Sequence, residues 1–366
     1  MTRRIVVKVG TTTLTDGTTY LKRQRLLELV QQLAKVHQSG AEVVLVSSGA
    51  QAAGRERLGF PDLGKSLPAK QMLAAVGQGR LVHHYSQLFD IFEIVVAQIL
   101  LTRDDLSNRT RYLNARDTLL TLIERRIIPI INENDTVVTD EIRVGDNDNL
   151  SAMVASVVEA DLLIMLTDQQ GLFTADPRHD SNAQLISNVE RVDETTYALA
   201  GGTGTSLGTG GMATKIEAAQ TANRSGVTAI IAHGSEPDVI TRILAGEEIG
   251  TRFAPVKSQV ESRKRWLLTD RIQGKIHIDS GASRALTRKG ASLLPVGMTQ
   301  INGEFERGAT LAVYDTTGEE IAHGISNYSS VELARLCGVK SGEINTILGY
   351  NYGDYIIHRN NMIVLT

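Results

Sequence analysis

A single cysteine, Cys337, stands among 366 residues, so neither an internal disulfide nor a cysteine-built zinc site is available. A lone thiol fits a reducing compartment, and the cytoplasm is the expected location. Aromatic residues are scarce, at 4%, which argues against a stacking platform for single-stranded nucleic acid. Neither sign of charge dominates. Against 38 Lys and Arg stand 41 Asp and Glu, and the formal net charge of −3 makes no case for a nucleic-acid or membrane partner. No stretch approaches the roughly 18 apolar residues of a membrane span. Arg3-Arg4 superficially resembles a twin-arginine signal, but Lys8 stops the apolar run Ile5 to Val7, so no hydrophobic signal region follows. The eight histidines form no HExxH pair, and none is assigned to catalysis.

What is present is glycine, 33 residues of it, and a regular alternation of segments. The runs IVVKVG, EVVLVSSGA, EIVVAQILL, IIPIIN, DLLIMLTD and VTAIIAHG read as strands. Between them, Arg23 to His37, Lys70 to Phe89, Tyr112 to Arg126, Asn149 to Glu159 and Met212 to Ser225 read as helices. This predicts an α/β fold, a mostly parallel sheet sandwiched by helices. After about Gly250 the pattern changes to short β-like runs, KIHID, SLLPVGM, INGEFERGATLAVYD and EIAHGIS, which predict a small β-rich C-terminal domain. The length also calls for two domains. The boundaries are placed at 1–257, a linker at 258–274, the second domain at 275–353 and a tail at 354–366.

Ligands of such sheets gather beyond the carboxyl ends of the strands. There the sequence places Lys8-Val-Gly10, Ser47-Ser-Gly49, Asn132-Glu-Asn134-Asp135 and Thr167-Asp168, not bland turn residues. Residues Gly201 to Lys215 form a Gly- and Thr-rich loop that runs into a helix. Free backbone N–H groups at such a helix start cradle phosphate, although a flexible linker has a similar composition. In VGDNDNLS, the residues Asp146, Asn147 and Asp148 can bind a cation, cap the helix or orient lysines. The string Gly59 to Ser66 fits the P-loop expression, but helix-like residues precede it and Pro68 follows, so it is read as a surface turn. Two lysines, a glycine loop and an acidic cluster suggest phosphoryl transfer, which relies on positioned cations. No catalytic base is evident. A carboxylate acceptor, with a pKa of about 4.3, is already ionised and needs none.

The segments VVKVG, VSSGAQAAGRE, KQMLAAVGQ, LLTRDD, RYLNARDTL, INENDTV, VGDNDNLSA, LTDQQGLFTADPR, GTGGMATK, RKRW, GASLLPVG and ILGY run in order through nearly the whole chain. In these the chain resembles the glutamate 5-kinase family, enzymes of the amino-acid kinase fold that open proline synthesis. The resemblance implies ATP and L-glutamate as substrates, with Mg²⁺, and L-glutamyl 5-phosphate as product. It implies that Lys8 and Lys215 act on the phosphates and that Asp148 holds both lysines. It places Ser48, Asp135 and Asn147 at glutamate, with Asn132 and Asn134 nearby. It assigns ATP to Lys8, Gly10, Thr167, Asp168, Thr209, Gly210, Gly211, Met212, Ala213, Thr214 and Lys215. It further implies proline as feedback inhibitor, a homo-oligomer and a PUA-like second domain. From Gly274 to Thr366 there are 8 Lys and Arg against 9 Asp and Glu, no basic footprint for RNA. Two rivals differ in substrate or class: a kinase of the same fold acting on acetylglutamate or aspartate, and a non-catalytic RNA-binding PUA protein.

Overall fold

Six-residue apolar runs with no polar face have to be covered on both sides. The computed structural model, which describes residues 3–63, 66–138, 146–200, 211–255 and 271–365, shows how. The chain divides into two units, Met1–Asn108 with Thr118–Gln259, and Arg109–Asp117 with Val260–Thr366.

The first unit is built on strands β1 (Arg4–Val9), β2 (Glu42–Ser47), β3 (Val96–Leu101), β4 (Ile128–Glu133), β5 (Leu162–Thr167), β6 (Asn188–Val189), β7 (Thr228–His233) and β8 (Thr251–Phe253). They form one sheet in the order β3-β4-β2-β1-β5-β7-β8-β6. All neighbouring pairs are parallel except β7 with β8. The connecting helices are α1 (Thr11–Thr15), α2 (Arg23–Gln38), α3 (Ala50–Arg57), α4 (Leu67–Asp90), α5 (Arg103–Ser107), α6 (Arg109–Glu124), α7 (Asp146–Val157), α8 (Glu194–Leu199), α9 (Met212–Arg224) and α10 (Val239–Leu244).

Side chains alternate across a strand. On β1, Ile5, Val7 and Val9 join a core with Leu26, Leu29, Val30 and Leu33 of α2 and Leu81, Tyr85 and Phe89 of α4. Val6 and Lys8 therefore share the opposite face, where α7 packs over β1, β2, β4 and β5. This alternation delivers Lys8, buried, to the start of α7.

Helices α3 and α4 cross at glycine. A Cβ at Gly54 would lie 1.9 Å from the Leu73 carbonyl oxygen, and one at Gly77 would lie 1.8 Å from that of Ala50. Only the missing side chains allow the two backbones so close. Gly77→Ala is expected to lower stability by about 1–3 kcal/mol, because a packed backbone has to move. Thermal denaturation checks this; an unchanged melting temperature means that the crossing is looser than these distances.

The P-loop lookalike is preceded by helix α3, not a strand, which removes the context it needs. Gly64 and Lys65 lie outside the described residues. Pro68 is nevertheless no barrier to a helix. It occupies the first turn of α4, where its missing N–H costs nothing.

The second unit carries a five-stranded sheet, β10-β9-β11-β12-β13, made of β9 (Ile272–Ile278), β10 (Met298–Asn302), β11 (Thr310–Tyr314), β12 (Glu320–Ile325) and β13 (Met362–Val364). Two expectations change here. The segment 354–366, expected as a tail, supplies β13, which pairs with β12. The run SLLPVGM is a 3₁₀ turn with an isolated bridge, Leu293 to Ile357, because Pro295 cannot donate to a ladder. Most of the expected linker, including Trp266, lies outside the described residues.

Candidate active site

The ends of β1, α7 and α9 meet at one carboxylate. Lys8 Nζ lies 2.6 Å from Asp148 Oδ1, and Lys215 Nζ lies 3.2 Å from Asp148 Oδ2. The three side chains are almost sealed: Lys8 is 5% exposed, Lys215 6% and Asp148 1%. The Thr214 hydroxyl lies 2.9 Å from Asp148 Oδ2 and 2.8 Å from the Gly211 carbonyl. Burial alone pushes the Asp148 carboxyl up. The attraction of Lys8, then of Lys215, with hydrogen bonds from Lys8 and Thr214, outweighs it and holds the group below the usual carboxylate range. Burial drives Lys8 below the ordinary lysine value. Asp148 opposes this, and the like charge of Lys215 reinforces it. Two ammonium groups fixed side by side on one carboxylate suit the oxygens of a transferring phosphoryl group.

Helix α9 starts at Gly211, an extended residue with no side-chain cap. Gly211 therefore offers no side chain to the first N–H groups of α9, at Met212 and Ala213 and beyond. Gly10 opens α1 directly after β1, and its N–H points to the Leu166 carbonyl at 3.4 Å. Thr167 ends β5, with its hydroxyl 3.0 Å from Asp168 Oδ1. Thr209 and Gly210 lie outside the described residues.

A second group adjoins the first through the neighbouring residue of α7. Asn147 Nδ2 donates to Ser48 Oγ and to Asn132 Oδ1, both at 2.9 Å. The Glu133 N–H also donates to Asn132 Oδ1, at 2.9 Å. Asn134 is not joined to this group: its Oδ1 accepts from the Thr136 hydroxyl at 2.7 Å. Asp135 sits half-buried in the turn after β4.

The chain matches the amino acid kinase family over residues 3–233 and the PUA domain over residues 274–348. It is 55% identical to the glutamate 5-kinase of Herpetosiphon aurantiacus over 361 residues, covering 98% of each chain. It is 54% identical to the glutamate 5-kinase of Shewanella oneidensis over 364 residues, covering 99% of this chain and 98% of that one. The chain belongs to the glutamate 5-kinase family. A solved carbamate kinase from Giardia lamblia, bound to AMP-PNP, superposes with a TM-score of 0.51 at 18% identity, covering 69% of this chain and 98% of that one. That likeness shows a shared fold.

Two supports of the site in this glutamate 5-kinase family member were not anticipated from sequence. Gln78, on α4, accepts from Asn132 Nδ2 at 2.7 Å. Tyr85, fully buried on the same helix, lies 2.8 Å from Ser47 Oγ, whose own hydroxyl donates to the Ser48 carbonyl at 2.9 Å. With that proton spent, the phenol is the donor, and burial pushes its own pKa far up, keeping it protonated. A polar residue one place after Gly77 was the signal, visible only once the α3–α4 crossing is known.

Proposed function

We propose that this chain transfers the γ-phosphoryl group of ATP to the side-chain carboxylate of L-glutamate, giving L-glutamyl 5-phosphate and ADP, the first step of proline biosynthesis. The observation that carries this reading is the pair of buried ammonium groups, Lys8 and Lys215, fixed by Asp148 beyond the ends of the strands. A carboxylate oxygen of glutamate attacks the γ-phosphorus, and the bond to the β–γ bridging oxygen breaks. No proton moves, because the acceptor arrives ionised. Lys8 and Lys215 stabilise the charge spread over the equatorial oxygens. Gly10, Thr167, Asp168 and the segment Thr209 to Lys215 hold ATP, with the uncapped start of α9 turned to phosphate. Ser48, Asp135 and Asn147 bind glutamate, and Asn132 and Asn134 stand beside them.

Among the described residues no three acids, histidines or cysteines gather into a metal cage. Mg²⁺ would arrive with ATP and supply charge neutralisation at its phosphates. The test is direct. Purified protein with ATP, Mg²⁺ and L-glutamate is expected to release ADP and to form an acyl phosphate that hydroxylamine traps. A much higher kcat/KM with acetylglutamate or aspartate overturns the substrate.

The same reading makes proline a feedback inhibitor that competes in the glutamate pocket, since it shares the α-carboxylate and the five-carbon skeleton. Proline is expected to raise the apparent KM for glutamate more than that for ATP. Equal rates with and without proline at subsaturating glutamate refute this. A homo-oligomer in the cytoplasm completes the proposal. Ile91 and Val95, 66% and 63% exposed beside the edge strand β3, offer apolar surface for assembly.

A further inference from the structure

The amide groups around Ser48 can be oriented without choice. The Glu133 N–H can only donate, so the atom it meets on Asn132 is the acceptor Oδ1. Asn147 meets that same oxygen, so it presents Nδ2, and Nδ2 also reaches Ser48 Oγ. Both hydrogens of the Asn147 amide are thereby spent. Among the described residues its Oδ1 is left as a buried acceptor with no partner. Ser48 Oγ, accepting from Asn147, keeps its own proton to give. One unpaired acceptor and one free hydroxyl donor, side by side, match the α-ammonium and α-carboxylate of an amino acid.

The other end of Asn132 needs an acceptor, and Gln78 Oε1 supplies it at 2.7 Å. Gln78 is brought there by the glycine crossing, since Gly77 lets α4 lie against α3. Gln78 Nε2 is itself buried without a partner among the described residues, so this side chain is held by what its oxygen accepts. Resting on the glutamate reading above, we propose that Gln78 is a positioning residue for the substrate head group: through Asn132 it holds Asn147 with Oδ1 turned to the α-ammonium. Substitution at Gln78 then weakens recognition of the ammonium while leaving the lysine pair and the nucleotide loops untouched.

The experiment compares glutamate with glutarate, which has both carboxylates and no ammonium, scored as a competitive inhibitor. In Gln78→Met, which keeps length and loses the acceptor, the KM for glutamate is expected to rise about tenfold, the scale for one such hydrogen bond. The Ki of glutarate and the KM of ATP are expected to stay within about twofold, on the same scale. A general loosening of the fold would move all three together, and that result overturns the proposal, as does an unchanged KM for glutamate. Gln78→Asn, one methylene short of Asn132, is the second variant if Gln78→Met does not fold, with the same expected outcome. Gln78→Glu keeps an acceptor and loses the donor. Discrimination between glutamate and glutarate is expected to survive in it; its collapse to the Met level means that Gln78 does not act through Asn132. Failure of the wild type to phosphorylate glutamate is a different result, and it removes the substrate reading instead.

Discussion

Lys215→Ala is expected to lower kcat by about 10²-fold or more, and Lys8→Ala by a similar factor. This is the scale for removing one preorganised donor, roughly 2.7 kcal/mol of barrier. Both ammonium groups are buried against Asp148, so neither pays to reorganise when charge develops on the phosphoryl oxygens. The loss should fall on kcat rather than on the KM for glutamate, because the Ser48, Asn132 and Asn147 group is separate from the lysines. Steady-state kinetics with both substrates varied checks the split. Near-normal turnover in Lys215→Ala removes the start of α9 from the chemistry. Lys65→Ala, in the P-loop lookalike, is the control and should keep the KM for ATP within a few-fold.

Lys8 adds a pH signature. Its folded value lies below the ordinary 10.5, chiefly through burial. On the proposed mechanism the charged form is the one that stabilises phosphate, so kcat should decline as pH rises through that lowered value. Lys8→Arg, which stays charged, should show no such decline in whatever activity it retains. Stability runs the other way. The folded chain releases this proton before the unfolded chain does, so its contribution rises with pH between the lowered value and 10.5.

The sheet was legible because buried parallel strands advertise themselves. LLIMLT of β5 is buried at every position, and no other element tolerates such a run between helices of ordinary length. The lysines, Asp148 and the amides were legible for a related reason: polar residues directly after apolar strands have little packing use. β6 and β8 were not legible. At 2 and 3 residues they carry no period, and their pairing comes from the edge they dock on. Asn134 stands in INENDTV beside Asn132 and Asp135, and its Oδ1 accepts from the Thr136 hydroxyl. Gln78 was not legible, since its partner Asn132 lies 54 residues away and only the glycine crossing brings it within reach.

Asp148→Ala should be the most damaging single change in the kinase domain. Removing one partner of a buried ion pair costs about 3–5 kcal/mol, because the opposite charge stays buried and unmatched. Here two cations lose the anion they share, and Lys8 already feels the repulsion of Lys215. Both stability and kcat are expected to fall. The pH dependence identifies the source. Asp148 titrates below its ordinary value of 3.8, so its stabilising effect is complete above the unfolded carboxylate range and is lost as pH falls through the folded value. The stability gap between the wild type and Asp148→Asn should therefore narrow in acid. Adding Lys8→Met to Asp148→Ala removes one stranded cation, and the double variant should regain stability without regaining turnover. If the double variant is no more stable than Asp148→Ala, stranded charge is not what the missing carboxylate leaves behind. Its role then reduces to aiming the ammonium groups, which the loss of kcat alone would report.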